Sequence, residues 1–178
     1  MTTLRNSCLL VFILCSQPVL ADFSTVLTAG IAEDASAIHA GVQLPLEPTW
    51  GFFRSPKISA ILEFSVGRWQ GRSSTRDNNS LVDVAALPAI RYHPDGNRQR
   101  GFFLEGGIGA HLLSRTRIHQ DRRFGSAFQF GDLIGIGWLL GDGGRYETGL
   151  RFHHVSNGDI QQPNQGINFL EFRFVGRF

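Results

Sequence analysis

From Ser24 onward the chain runs in segments of roughly ten residues in which apolar and polar positions alternate, and each segment stops at turn-forming residues. Successive side chains of a β-strand point to opposite faces, so this period of two predicts strands with one apolar and one polar face. Eight are expected, at about 24–32, 38–46, 58–68, 82–92, 101–113, 127–140, 146–156 and 167–178. Ile38, Ala40, Val42 and Leu44 share one face of the second; Ala60, Leu62, Phe64 and Val66 share one face of the third, against Glu63 and Ser65. Pro88 falls inside the fourth, where it removes a ladder hydrogen bond, and a bulge is expected there. The stretches His93-Pro94-Asp95-Gly96-Asn97 and Gly141-Asp142-Gly143-Gly144 mark tight turns.

The last segment is the most diagnostic. Leu170, Phe172, Phe174 and Phe178 take one parity; Glu171, Arg173 and Arg177 take the other. Apolar residues outside, charges inside and a terminal Phe are the pattern of a bacterial outer-membrane strand. Backbone groups in lipid must all be paired internally, so strands cross a membrane only as a closed barrel. The predicted fold is therefore all-β: an eight-stranded antiparallel transmembrane β-barrel of the outer membrane. Eight strands leave an interior just wide enough for side chains to fill. The inward parity supplies Gly, Ser, Glu, Arg and His, which predicts a packed polar lumen and disfavours a porin.

Composition refines this picture. Fifteen Phe and 21 Gly suit alternating strands. Residues 1–21 read as a cleaved signal peptide: Arg5 gives the charge, 8–15 the apolar core, and Val19-Leu20-Ala21 the small-residue end. Residues 22–178 then form one barrel domain. Cys8 and Cys15 both lie in the leader, so the barrel carries no thiol or disulfide. A net charge of +2 is too small to point to nucleic acid. His39, His93, His111 and His119 are scattered, so neither a metal nor another cofactor is expected. With both termini periplasmic, the loops at about 33–36, 70–80, 114–126 and 157–166 face the cell exterior.

The stretch Arg151 to Asn168, R-F-H-H-V-S-N-G-D-I-Q-Q-P-N-Q-G-I-N, carries the candidate chemistry. His154 and Ser156 are two apart on a strand and so stand side by side. A His within hydrogen-bond reach of a Ser is the minimum equipment for a nucleophilic hydroxyl. Both share parity with Leu150 and Phe152, which places them on the lipid-facing side at the outer end of the strand. There a polar pair is either functional or an ordinary rim position among headgroups.

H-x-S-N, followed by Gln162-Pro163-Asn164 and Gly166, then a last strand ending in Phe, resembles the lipid A 3-O-deacylases of the PagL type. Phe103-Leu104-Glu105-Gly106-Gly107-Ile108-Gly109 and Phe130-Gly131-Asp132-Leu133-Ile134-Gly135 resemble that family's fifth and sixth strands. The resemblance implies an outer-membrane esterase that needs no metal or cofactor and removes the acyl chain ester-linked at the 3 position of lipid A. It implies Ser156 as nucleophile, His154 as base and Asn157 as oxyanion donor. The family's acid falls where this chain has Asn168, which can orient a His but brings no charge. Asp159 and Asp132 are the nearby acids that could replace it.

Arginine grips phosphate bidentately, so Arg115, Arg117, Arg122 and Arg123, with Arg68, Arg72 and Arg76, are expected to meet the phosphates of lipid A; the plainer reading is a solvated loop. The expected partners are lipopolysaccharide and outer-membrane lipid, with a homodimer left open. The chief alternative is a non-enzymatic structural or adhesion barrel of eight strands. An acyltransferase working from the same face is a second, told apart by its product.

Overall fold

In a computed structural model the described residues are 23–46, 54–72, 79–119 and 122–178. The expected leader at 1–21 and Arg76 lie outside them. The strands are β1 (Ser24–Ile31), β2 (Ala35–Leu46), β3 (Ile58–Gly71), β4 (Ser80–Tyr92), β5 (Gly101–Leu113), β6 (Arg117–His119), β7 (Arg122–Arg123), β8 (Phe128–Leu140), β9 (Tyr146–Ser156) and β10 (Ile167–Arg177). Eight of them close an antiparallel barrel in the order β1-β10-β9-β8-β5-β4-β3-β2, with β1 paired to both β2 and β10. Closure leaves no edge strand, as a lipid environment demands.

The alternation holds around the wall. Along β10, Leu170, Phe172 and Phe174 are exposed, whereas Glu171 and Arg173 are buried. On β8, Phe128, Phe130, Ile134, Ile136 and Trp138 face outward, and Asp132 is the exception in that row. Pro88 makes no bulge. The β4–β5 register is the same on both sides of it, Ala86 facing Ala110 and Ala89 facing Gly107. The ladder lapses only between these pairs, and a Cβ at Gly107 or Gly109 would meet the carbonyls of Pro88 or Ala86. Two glycines thus let the strands close up without a shift.

Inside the barrel, charge is matched by charge. Arg151 donates to Glu105 at 2.6 Å and to Glu63 at 3.1 Å; Arg91 donates to Glu105 at 3.1 Å and to both oxygens of Glu147 at 2.6 and 2.9 Å. Arg173 reaches Glu63 at 3.0 Å and also contacts Glu147 and Gln43. Nearer the loop end, three histidines that look scattered in the sequence converge. His39 and His111 flank Asp83 at 3.0 and 2.8 Å, His111 meets His153 at 3.2 Å, and His153 meets Glu171 at 3.0 Å.

The loop end is shut by apolar residues. Trp69, Leu81, Leu113, Val155, Ile167 and Phe169 from the wall pack on Ile118 and Phe124. The last two come from the arginine-rich segment at 114–126 that the sequence reads as a loop. It folds instead into the β6–β7 ribbon, which buries its apolar side in the mouth of the barrel and exposes Arg115, Arg117 and Arg123.

Candidate active site

Strand pairing builds the site. β9 lies between β8 and β10, and at the level of His154 its neighbours are Asp132 on one side and Asn168 on the other. His154 and Ser156 are half-buried on the outward parity, in line with exposed Leu150 and Phe152. Asn168 is exposed on the same face.

The three polar side chains form a line. Asn168 Oδ1 lies 2.6 Å from His154 Nδ1, and His154 Nε2 lies 3.0 Å from Ser156 Oγ. An amide oxygen only accepts, so Nδ1 carries the proton and donates it. Nε2 is then left unprotonated to accept the Ser156 hydroxyl, which is the tautomer a general base requires.

The loop at 157–166 is held from within and from behind. Asn157 is buried; its backbone N–H donates to Asn164 Oδ1 at 3.0 Å and its amide to the Gln161 carbonyl at 2.6 Å. Its side chain therefore stitches the loop, with one amide N–H left over. Asp159 Oδ1 accepts from Gln162 at 2.9 Å and from Asn164 at 3.2 Å, and so belongs to the loop's own framework. Gly166 closes the loop in a left-handed conformation, φ 59°. A Cβ there would stand 3.1 Å from His154 Cε1 and 3.3 Å from Ser156 Cβ.

The ribbon braces this loop. Phe124 bridges to Asn164, and the Arg123 N–H donates to Gln165 Oε1 at 2.6 Å. Arg122 gives Nη1 to the Gly166 carbonyl and Nε to Asp34 Oδ2 at 2.6 Å. Of the arginines expected to meet phosphate, Arg122 thus has two of its N–H groups engaged inside the protein. Asp34, in the β1–β2 turn, also receives His119 at 2.7 Å. Burial alone would raise the Asp34 carboxyl; the bonds and charges of His119 and Arg122 outweigh it and hold the group below its ordinary 3.8. Asp34 and the bracing role of Arg122 were not legible from local pattern, since each joins loops far apart in the chain. Among the described residues, no group of three or more His, Cys, Asp or Glu is arranged to hold a metal ion.

A family model described as lipid A 3-O-deacylase (PagL) matches residues 36–176. A lipid A deacylase PagL of Bordetella bronchiseptica is 38% identical over 129 residues, which cover 72% of this chain and 65% of that relative. A lipid A deacylase PagL of Pseudomonas aeruginosa is 27% identical over 147 residues, 83% of this chain and 80% of that one. Among solved structures, that of the outer membrane enzyme PagL matches with a TM-score of 0.66 at 21% identity, over 85% of this chain and 97% of the other. The Yersinia pestis outer membrane protein Ail matches with a TM-score of 0.50 at 10% identity, over 89% and 99%. At these identities the two structures bear on the barrel fold.

Proposed function

The chain belongs to the lipid A 3-O-deacylase family, and we propose that it is an outer-membrane hydrolase releasing the acyl chain esterified at the 3 position of lipid A, with Ser156 as nucleophile. The observation that carries this is the Asn168–His154–Ser156 line on the outward face of a barrel wall. A lipid ester reaches such a site sideways from the bilayer. Family membership also weighs against the purely structural barrel.

In the first step Ser156 Oγ attacks the ester carbonyl carbon while its proton passes to His154 Nε2. The bond to the sugar oxygen then breaks, and His154 returns the proton to that oxygen, leaving an acyl-serine. Water, deprotonated by His154, attacks the acyl-serine and frees the fatty acid and the Ser156 hydroxyl. Asn168 keeps the imidazole in register throughout. An oxyanion role for Asn157 rests on its remaining amide N–H, the other being given to Gln161.

Exposed Arg115, Arg117 and Arg123 are the candidate partners of lipid A phosphate, and Arg122 adds the donors it has left. Arg117 and Arg123 are direct cross-strand partners. Like charges so placed repel, and an anion between them removes the penalty. The outer leaflet, where lipid A is found, is the matching location, with residues 1–21 as the export signal. The polar line lies within one chain, so the reading does not require a homodimer.

The test is mass spectrometry of lipid A incubated with the purified protein. Loss of one 3-hydroxyacyl chain, abolished in Ser156→Ala and His154→Ala, is the expected result. An active Ser156→Ala protein would overturn the mechanism, and transfer of the chain to another lipid would make the protein an acyltransferase.

A further inference from the structure

The polar line ends in an amide, and an amide supplies no charge. Asn168 can fix the tautomer of His154, but when the Ser156 proton reaches Nε2 the resulting imidazolium needs a counter-charge in an environment bordered by lipid. His154 has a second cross-strand neighbour. In the β8–β9 register its partner is Asp132, as Asn168 is in the β9–β10 register. Directly opposed side chains have Cβ atoms about 4.5–5.5 Å apart. At that range an opposite charge favours the charged form of a titrating group.

The surroundings of Asp132 argue in the same direction. It is exposed in an outward row otherwise made of Phe128, Phe130, Ile134, Ile136 and Trp138. A carboxylate in such a row is costly unless it works. Across the other edge of β8 it faces Ile108. Among the described residues it has no hydrogen-bond or ion-pair partner. The other charged groups around the site are committed: Asp159 to Gln162 and Asn164, and Arg122 to Asp34 and the Gly166 carbonyl.

We propose that Asp132 is the electrostatic partner of His154, so that the work of a triad acid is divided in this chain between Asn168, which orients the imidazole, and Asp132, which stabilises its charged form. This rests on the Ser156–His154 reading above. The only proton that moves is the one between Ser156 Oγ and His154 Nε2. It is a positioning residue, acting through His154.

The test is Asp132→Asn, a substitution of equal size on the outer face, with folding checked by heat-modifiable gel mobility. The pKa of His154 is read by NMR in detergent micelles, assigned by its loss in His154→Ala, and needs no substrate. Removing the carboxylate lowers that pKa by about one unit. The acid limb of kcat/KM for fatty acid release moves to lower pH by the same amount, and the plateau falls about tenfold. Asn168→Asp in the Asp132→Asn background restores both. An Asp132→Asn protein with an unmoved His154 pKa overturns the proposal, whatever its rate. If the pKa moves while lipid A is not deacylated by the unaltered protein, the electrostatic pairing stands and the functional reading falls.

Discussion

Arg122 donates to the backbone carbonyl of Gly166, 44 residues further along the chain, and so ties the β6–β7 ribbon to the loop that ends at Asn168. Asn168 is two residues beyond that carbonyl and bonds His154 directly. Removing the tie frees the loop end that sets the imidazole, and small displacements of catalytic groups cost rate steeply. Arg122→Ala is expected to lower kcat for fatty acid release by about 10- to 100-fold. Arg123→Ala, which loses an exposed guanidinium, instead raises KM. Steady-state kinetics on dispersed lipid A separates the two, because a brace acts on kcat and a phosphate contact on binding.

Asp34 is the anchor of that brace, and its titration gives the brace a pH limit. Its carboxyl is held below 3.8 in the folded protein. A group whose folded pKa is depressed contributes stability above its unfolded value and loses it as pH falls through the folded value. The ribbon is thus expected to be tied down at neutral pH and to loosen only in acid below about pH 4. Limited proteolysis of the 114–126 segment as a function of pH checks this. In Asp34→Asn the segment is cleaved faster at neutral pH, and the acid transition is gone.

Gly166 has no room for a side chain on either count. Its φ of 59° suits glycine, and a Cβ would press on both His154 and Ser156. Gly166→Ala therefore combines backbone strain of roughly 1 kcal/mol with a push on the dyad. The barrel, whose ladder ends at Ile167, stays folded. The expected outcome is a heat-modifiable, well-folded protein with kcat reduced at least tenfold and KM little changed. An Ala variant of full activity would show that the dyad tolerates the displacement.

The barrel was legible in the sequence because one physical rule, lipid outside and polar groups inside, repeats along every strand. Phe172 against Arg173, or Phe64 against Glu63, states it locally. Strand ends were less legible. β2 begins at Ala35 rather than 38, and β3 runs to Gly71 rather than 68, because past the apolar band the pattern inverts: Ala35, Ala37 and Trp69 turn inward to the apolar plug, while Ser36 and Gln70 take the outer parity. The β6–β7 ribbon was missed for a related reason: Ile118 and Phe124 are too few to set a period among arginines, yet they are what fills the barrel mouth. At the site, the His154–Ser156 pair was readable from spacing and Asn168 through the family resemblance. Arg122 and Asp34 were not, since nothing local records a bond between loops.

The lumen gives a stability prediction. Arg151 is buried between Glu105 and Glu63. Taking one member out of a buried ion network leaves the others uncompensated and costs about 3–5 kcal/mol. Arg151→Met is expected to lower the free energy of unfolding by that order in urea titrations of the refolded barrel. Replacing Arg151, Glu105 and Glu63 together by apolar residues of similar size recovers much of the loss. A single variant as stable as the parent would mean that water enters the lumen and carries the charge.

Asn168 is where the chain departs from the family's pattern, and restoring an acid there makes the sharpest test of how the site works. Its Oδ1 already accepts the His154 Nδ1 proton at 2.6 Å, so Asn168→Asp keeps the bond with nearly the same shape and makes it charge-assisted. Asn168→Glu also supplies a carboxylate, with one more methylene to place on an exposed position. A carboxylate at either length steadies the imidazolium formed when Ser156 gives up its proton, so both variants are expected to match or exceed the parent in kcat. A second effect follows from sign. The added negative charge raises the His154 pKa, so the acid limb of kcat/KM moves to higher pH and activity falls away sooner on acidification. Fatty acid release measured across pH checks both. If the carboxylate variants are slower than the parent at every pH while remaining folded, the site depends on a neutral partner at this position, and the family's acid has been given up rather than replaced.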